Sequence, residues 1–155
     1  MTSAVLLCLS SLLLQAAPAP AAPGVQVWKA SDLTARGQAL SAKLNEQKSA
    51  TDTLARDGNR TFLLAHREGS GVAEWHEKQA DVMFIVSGEA TIVYGGTIPD
   101  AKTTAAGEMR GASIEAGTET KLGPGDVVHI PAKTPHQMKL EPGKQVTYFV
   151  TKVVE

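Results

Sequence analysis

From Arg60 onward, short hydrophobic runs alternate with turn-forming residues along the chain. Glycine, proline and a serine–glycine pair mark the turns, and a turn about every eight to twelve residues is typical of an all-β sandwich or barrel. No helical period appears in this part of the sequence, so repeated βαβ units are excluded. Residues 96–119 are predicted to form a loop with one irregular strand. The predicted strands are RTFLLAHRE, VAEWHE, ADVMFIV, ATIVYGG, TKL, VVHI, HQMKL and QVTYFVTKVV.

The segment before this region has a helical pattern of hydrophobic residues. SDLTARGQALSAKLNEQ places Leu33, Leu40 and Leu44 on one face of a helix. Gly37 lies inside the segment and lowers its helix propensity. We therefore predict a short helix that packs on the larger all-β domain.

The first residues have the composition of a signal peptide. Ala4 to Leu14 are all apolar or small, a run shorter than the roughly 20 residues that a membrane span needs but suited to the hydrophobic region of a signal peptide. Ala19 to Ala21 then form a small-x-small cleavage pattern. We therefore predict a signal peptide over residues 1–21, a secreted or periplasmic protein, and no stable membrane insertion after processing. Cys8, the only cysteine, would be removed with it.

The rest of the chain divides into an N-terminal arm over residues 22–58 and an all-β domain over residues 59–155. A length of 155 residues is sufficient for one domain with a hydrophobic core. The 15 basic and 16 acidic residues are scattered and give a formal net charge of −1. Since no basic cluster could follow a phosphate backbone, nucleic acid is excluded as a partner and a small molecule is expected instead.

The stretch GVAEWHEKQADVMFIVSG brings metal-binding residue types close together. Glu74 and His76 are two positions apart on a predicted strand, so their side chains point to the same face. Asp81 opens the next strand, and His136 opens a later one. Because inward residues at strand starts converge at one end of a barrel, these four residues predict a nitrogen and oxygen site for zinc, manganese, iron or nickel. Asp81 is predicted either to bind the metal or to hold an imidazole N–H.

The same stretch resembles the first sequence motif of the cupins. His76 takes the second histidine position of that motif, and Glu74 stands where the family has its first histidine. Asp81 takes the glutamate position, Gly71 opens the motif and Gly88 closes it. The resemblance therefore gives the four candidate ligands the positions of a family metal site.

A second stretch, GPGDVVHIPAKTPHQMKL, resembles the second cupin motif. Gly125, Pro131 and His136 fall at the spacings of that motif. Together the two motifs cover about residues 60–153. They identify the chain as resembling a small single-domain cupin, which implies a double-stranded β-helix of jelly-roll type, preceded here by the short helical arm.

The resemblance also implies a range of functions. It points to a divalent metal in the barrel and to a dioxygenase, lyase or isomerase that acts on a small molecule, and cupins commonly form homodimers. The alternative is a non-catalytic cupin that binds a small ligand without a functional metal site. A third possibility is a metal-free epimerase, which would need a histidine base, a paired carboxylate and a tyrosine, for which Tyr94 and Tyr148 are the only candidates.

The remaining histidines are weaker candidates. His129, on the strand VVHI, is interpreted as a structural or supporting residue. His66, on RTFLLAHRE, would reach the cavity only if its strand turns that side chain inward. Met83, Phe84 and Ile85 are interpreted as lining of the core and cavity.

Overall fold

The computed structural model describes residues 24–155, so the predicted signal peptide over residues 1–21 lies outside the described residues. Two antiparallel β-sheets face each other, and one helix lies on the N-terminal side. This architecture confirms the predicted all-β fold with a short N-terminal helix. The elements are α1 (Ala30–Leu40), β1 (Ser49–Asp57), β2 (Arg60–Arg67), β3 (Ala73–His76), β4 (Gln79–Gly88), β5 (Ala90–Tyr94), β6 (Lys102–Ala105), β7 (Glu108–Gly111), β8 (Thr118–Leu122), β9 (Val127–Ile130), β10 (His136–Lys139) and β11 (Val146–Val154).

The strand order mixes neighbours from distant parts of the chain. The five-stranded sheet has the order β1-β2-β11-β4-β9, and the six-stranded sheet has the order β6-β7-β3-β10-β5-β8. Some strands that follow each other along the chain, such as β3 and β4, lie in opposite sheets, whereas β1 and β2 are neighbours in one sheet. This crossing brings residues that are close in sequence to facing sides of the interior.

The core lies between the two sheets and follows the alternation of strand side chains. On β4, Met83 and Ile85 are 6% and 0% exposed and belong to this core, whereas Phe84 is 39% exposed. Phe84 therefore lies on the outer face, and its interpretation as core or cavity lining was wrong. The buried residues between the sheets are Ala65, Met83, Ile85, Ala90, Ile92, Leu122, Ile130, Met138, Val146, Tyr148 and Val150.

The helix covers the outer face of the five-stranded sheet. Leu33 and Leu40 pack there against Leu64, in a second hydrophobic cluster. The helix ends earlier than predicted, because Leu40 leads into a 3₁₀ turn and Leu44 is already extended. Gly37 lies so close to β11 that an added Cβ would be 2.6 Å from Thr147 Cγ2, which explains a glycine at this helical position. Among the described residues, no helix is long and apolar enough to span a membrane.

Two pieces of sheet were not predicted from the sequence. β1 lies within the segment 22–58 that we assigned to the arm, and it pairs with β2 along its length. β6 and β7 form a hairpin within residues 96–119, where we predicted a loop with one irregular strand. β1 is an edge strand with no fully buried residue, and β6 is exposed throughout, so neither has a strong hydrophobic pattern.

Gly88 occupies a position that only glycine can fill. Its φ is +79°, and an added Cβ would lie 2.0 Å from the carbonyl oxygen of Gln145. The close approach lets the chain leave β4 beside the start of β11. The last glycine of the first motif thus has a steric role in the turn between β4 and β5.

Candidate metal centre

Three strands bring the four predicted ligands to one end of the interior. Glu74 and His76 lie on β3, and His136 on β10 is the direct cross-strand partner of Glu74. Asp81 comes from β4 in the opposite sheet. The side chains of both histidines and of Asp81 are at most 4% exposed, while that of Glu74 is 24% exposed. The structure therefore brings all four candidates together.

The ligand atoms are close enough to share one cation. Glu74 Oε2 lies 3.5 Å from His76 Nε2 and 3.9 Å from His136 Nε2. Both distances are below the roughly 4.4 Å that two atoms bound to one ion can span, given bonds of about 2.0–2.2 Å. One ligand atom from each of these three residues lies within 4.8 Å of the other two. Glu74, His76 and His136 could therefore hold a metal ion.

Hydrogen bonds on the far side of each imidazole orient the two rings. His76 Nδ1 lies 2.7 Å from Glu108 Oε2, and His136 Nδ1 lies 3.0 Å from the carbonyl oxygen of Thr134. Both partners are acceptors, so each Nδ1 carries the proton and donates it. Each Nε2 is then left with a free lone pair that points towards the other candidate ligands.

The surroundings of the two Nε2 atoms indicate whether these residues suit a bound metal ion. Within residues 24–155, they are the only buried side-chain nitrogen or oxygen atoms without a hydrogen-bond partner. Buried polar atoms are almost always hydrogen-bonded, so two unpartnered lone pairs side by side need an explanation. A cation between them would provide one, and the nitrogen and oxygen donor set suits a divalent metal.

Asp81 lies next to both histidines but also forms an ion pair. Its Oδ2 is 3.7 Å from His76 Nε2 and 3.6 Å from His136 Nε2. Lys152 Nζ contacts its two oxygens at 3.0 and 2.8 Å, and the side-chain amide of Gln79 donates to Oδ1 at 3.3 Å. Asp81 thus supports the site from the opposite sheet, with its charge shared with Lys152.

The surroundings keep both carboxylates ionised. Burial alone would raise the pKa of Glu74, but the adjacent imidazole of His76 and the charges of Arg110 and Lys152 outweigh burial and lower that pKa to about 2. Burial also opposes ionisation of Asp81, and the imidazole of His136 together with Lys152 lowers the Asp81 pKa below its usual value. Both side chains are therefore anionic at neutral pH.

No family model matches the sequence, and no curated protein matches it. Solved structures do have a similar fold. A cupin-2 domain protein from Rhodospirillum rubrum is 14% identical with a TM-score of 0.52, over 70% of this chain and 62% of that one. The chain has the cupin fold.

Two enzymes of known structure share this cupin fold. The polyketide cyclase RemF from Streptomyces resistomycificus is 18% identical with a TM-score of 0.51, over 70% of this chain and 67% of that one. A DMSP lyase from Ruegeria pomeroyi is 17% identical with a TM-score of 0.50, over 70% of this chain. The chain spans 48% of that lyase. At such identities the likeness concerns the fold alone.

Several residues around the candidate metal centre were missed from the sequence. Glu108 and Arg110 lie on β7, in the stretch that we predicted as a loop, and they pair across the sheet with His76 and Glu74 respectively. Lys152 lies on β11, two positions beyond the core residue Val150. Strand alternation could have indicated Lys152, because a residue two positions from an inward one also points inward.

The other histidines and the tyrosines lie outside the ligand cluster. His66 is buried, where its Nδ1 lies 2.8 Å from Thr147 Oγ1, and it does not reach the interior site. His129 is exposed on the edge strand β9. Tyr94 is the cross-strand partner of His136, but its hydroxyl is next to Thr120. The Tyr148 hydroxyl accepts a hydrogen bond from Arg67.

Proposed function

We propose that the protein is an enzyme that uses a divalent metal, bound inside the cupin barrel, to act on a small molecule. Glu74, His76 and His136 would hold the metal, with Asp81 beside them. The observation that carries this proposal is the pair of buried, unpartnered Nε2 atoms, each on a ring whose Nδ1 is already engaged. Zinc, manganese, iron and nickel all accept such a donor set.

The chemistry would divide between the metal and the residues around it. A divalent ion at this position would supply a Lewis acid or an oxygen-activating centre for the bound molecule. Glu108 and the carbonyl of Thr134 fix the orientation of the imidazoles. Arg110 donates to the same Glu108 oxygen at 3.0 Å and so holds that carboxylate in place. Both histidines are nearly buried, so bulk water has little contact with their rings, while Glu74 is the ligand closest to solvent.

The reaction class that we propose is that of a dioxygenase, a lyase or an isomerase. Among the proteins with this fold, one is a polyketide cyclase and another is a DMSP lyase. Both act on small organic molecules, which supports a small-molecule substrate here. The fold does not select among the three reaction types, since function depends on the site.

An assay of the reloaded protein tests this proposal. The protein is stripped with a chelator, reloaded with one metal at a time, and incubated with pools of small molecules. Oxygen uptake reports a dioxygenase, a change of product mass reports a lyase, and NMR reports an isomerisation. We expect a conversion that appears only after reloading and is lost in His76→Ala. A conversion that survives complete removal of metal would contradict the proposal.

A second candidate function is the binding of a small ligand without catalysis. A groove of about 430 Å³ lies between the edge strands β8 and β9, and its lining includes Ile92, Leu122 and Val128. An apolar groove of this size suits a small apolar ligand. Binding of such a ligand with equal affinity to the stripped and reloaded protein, and without conversion, would favour this function.

We also propose that the protein is exported. The hydrophobic run Ala4–Leu14 and the cleavage pattern ending at Ala21 support this proposal. Mass spectrometry of the protein isolated from its native host tests it directly. A mature N-terminus at Ala22 is expected, whereas a protein that retains residues 1–21 inside the cell would contradict export.

A further inference from the structure

The exposed side of the candidate metal centre presents two cations. The side chains of Arg110 and Lys152 are 29% and 24% exposed, next to the carboxylates of Glu74 and Glu108 at 24% and 27%, whereas those of His76, Asp81 and His136 are at most 4% exposed. Arg110 projects from the six-stranded sheet and Lys152 from the five-stranded sheet. A molecule that approaches the histidines from solvent therefore meets one cation from each sheet.

Both cations have hydrogen-bond donors to spare. Within the described part of the chain, Arg110 donates only through Nη1, to Glu108 and to the carbonyl of Met109, and its Nη2 is 3.8 Å from Glu74. Lys152 uses its ammonium group for the two oxygens of Asp81. A guanidinium has five N–H donors and an ammonium has three, so each side chain could take a further acceptor.

The charges around the centre favour an anion once a metal is bound. Glu74, Asp81 and Glu108 are the carboxylates of the site, and Arg110 and Lys152 lie against them. Arg67 is a third cation close enough for its charge to act on Glu74. Three carboxylates and three side-chain cations compensate one another, so a divalent ion with neutral imidazole ligands leaves the centre with two positive charges.

We propose that Arg110 and Lys152 bind an oxyanion group, a carboxylate or a phosphate, on the small molecule that the metal centre acts on. This inference rests on the proposed metal-dependent function. Arg110 offers a planar fork of donors and Lys152 a point charge, the two forms of cation that proteins use for such groups. Lys102, the exposed cross-strand partner of Arg110, extends the positive charge towards solvent.

The experiment uses the Co²⁺-loaded protein in a chloride buffer. The visible absorption spectrum of Co²⁺ shows that the metal is bound, and it changes again when an anion binds at or beside the metal. Acetate and inorganic phosphate are titrated separately as probes, and acetamide is the uncharged control. We expect a saturable spectral change with at least one of the two anions and none with acetamide. Acetate alone would identify a carboxylate site, and phosphate alone a phosphate site.

The variants Arg110→Gln and Lys152→Gln separate anion recognition from damage to the site. Anion affinity should fall by about tenfold or more in each, the usual loss for a hydrogen bond to a charged group. Because Arg110 also holds Glu108 and Lys152 pairs with Asp81, Co²⁺ affinity is measured in each variant, and the anion titrations are made at saturating Co²⁺. Lys152→Arg keeps the positive charge and should keep anion binding. If Lys152→Gln fails to fold, Lys152→Arg and Arg110→Gln still test the inference.

Two exposed cations on other surfaces serve as matched controls. Arg36 and Lys139 are each paired with one carboxylate, at 3.1 and 2.9 Å, and Arg36→Gln and Lys139→Gln should match the wild type in both titrations. If both Arg110→Gln and Lys152→Gln bind Co²⁺ and keep the anion affinity of the wild type, this inference is overturned while the proposed metal-dependent function is not. Absence of a Co²⁺ spectrum in the wild type would instead overturn the proposed function and this inference with it.

Discussion

The contact between His76 and Glu108 determines how the first imidazole can bind a cation. Glu108 Oε2 accepts a hydrogen bond from His76 Nδ1 and another from Arg110. The carboxylate thereby fixes the tautomer of the ring and the orientation of Nε2, the atom that faces the other ligands, and it places a negative charge behind the ring. On His136 the carbonyl of Thr134 has the same role but carries no full charge.

Replacing Glu108 by glutamine should therefore weaken metal binding without abolishing it. The amide oxygen can still accept the bond from Nδ1, but the negative charge is lost. Partners of this kind usually contribute about 10–100-fold to metal affinity, and we expect a loss in that range in a Zn²⁺ competition titration. Glu119→Gln, an exposed glutamate paired with Lys139, is the control. Equal affinities for both variants would contradict the role assigned to Glu108.

The carboxyl of Asp81 gives the metal-free protein a defined pH dependence. Burial opposes its ionisation, but His136 and Lys152 lower its pKa below the value of about 3.9 expected in the unfolded chain. The unfolded chain then binds protons more readily, so this group stabilises the fold above about pH 4 and loses that effect as the pH falls through the lowered pKa. Urea unfolding between pH 7 and pH 3, with a chelator present, should show this loss.

The Asp81→Asn variant should have a smaller decrease in the free energy of unfolding over the same pH range. The exposed Asp57 provides the control, since Asp57→Asn removes a carboxylate that is 72% exposed. Identical pH profiles for Asp81→Asn and the wild type would show that Asp81 is not held in its ionised form by the fold.

Strand alternation, strand starts and the two motifs were sufficient to predict from the sequence that these four residues lie close together. Glu74 and His76 share a face by their spacing of two, and His136 opens a strand after a clear turn. Glu108 and Arg110 were missed because GEMRG has several glycines nearby and no apolar alternation. Only their register against β3, a long-range property, brings them to the site.

At the scale of elements, α1 packs on the sheet through one close backbone approach and two leucines. Gly37 faces Thr147 on β11, and the helix also carries Leu33 and Leu40 into the cluster around Leu64. The predicted helix was too long because its pattern continued to Leu44, where the chain has already become extended. Local hydrophobic spacing could not reveal that β1 must start at Ser49 and pair with β2.

Gly37→Ala should destabilise the protein, although alanine normally stabilises a helix relative to glycine by roughly 0.5–1 kcal/mol. The new Cβ would lie 2.6 Å from Thr147 Cγ2, so the helix or the strand has to shift. Adding Thr147→Ser removes that methyl group and retains the hydroxyl that contacts His66, so the double variant should recover part of the loss. A Gly37→Ala variant that is more stable than the wild type in urea unfolding would contradict this packing.

At the scale of the whole molecule, the site exists because the two sheets face each other. The six-stranded sheet supplies Glu74, His76 and His136, and the five-stranded sheet supplies Asp81 and Lys152. Turn spacing and the two motifs were enough to predict a cupin barrel. The ion pair between Asp81 and Lys152 could not be predicted, because it joins residues 71 positions apart whose strands meet only in the folded sheet.

The most direct test of the account is the metal content of the purified protein, produced without a histidine tag and measured by elemental analysis. We predict about one divalent ion per chain in the wild type, and loss of that ion in His136→Ala, which removes one of the two unpartnered Nε2 atoms. His129→Ala, which removes an exposed histidine on the edge strand β9, should retain the metal. A wild-type protein that holds no metal after incubation with manganese, iron, nickel and zinc would contradict the account, and so would a His136→Ala variant that binds metal as tightly as the wild type.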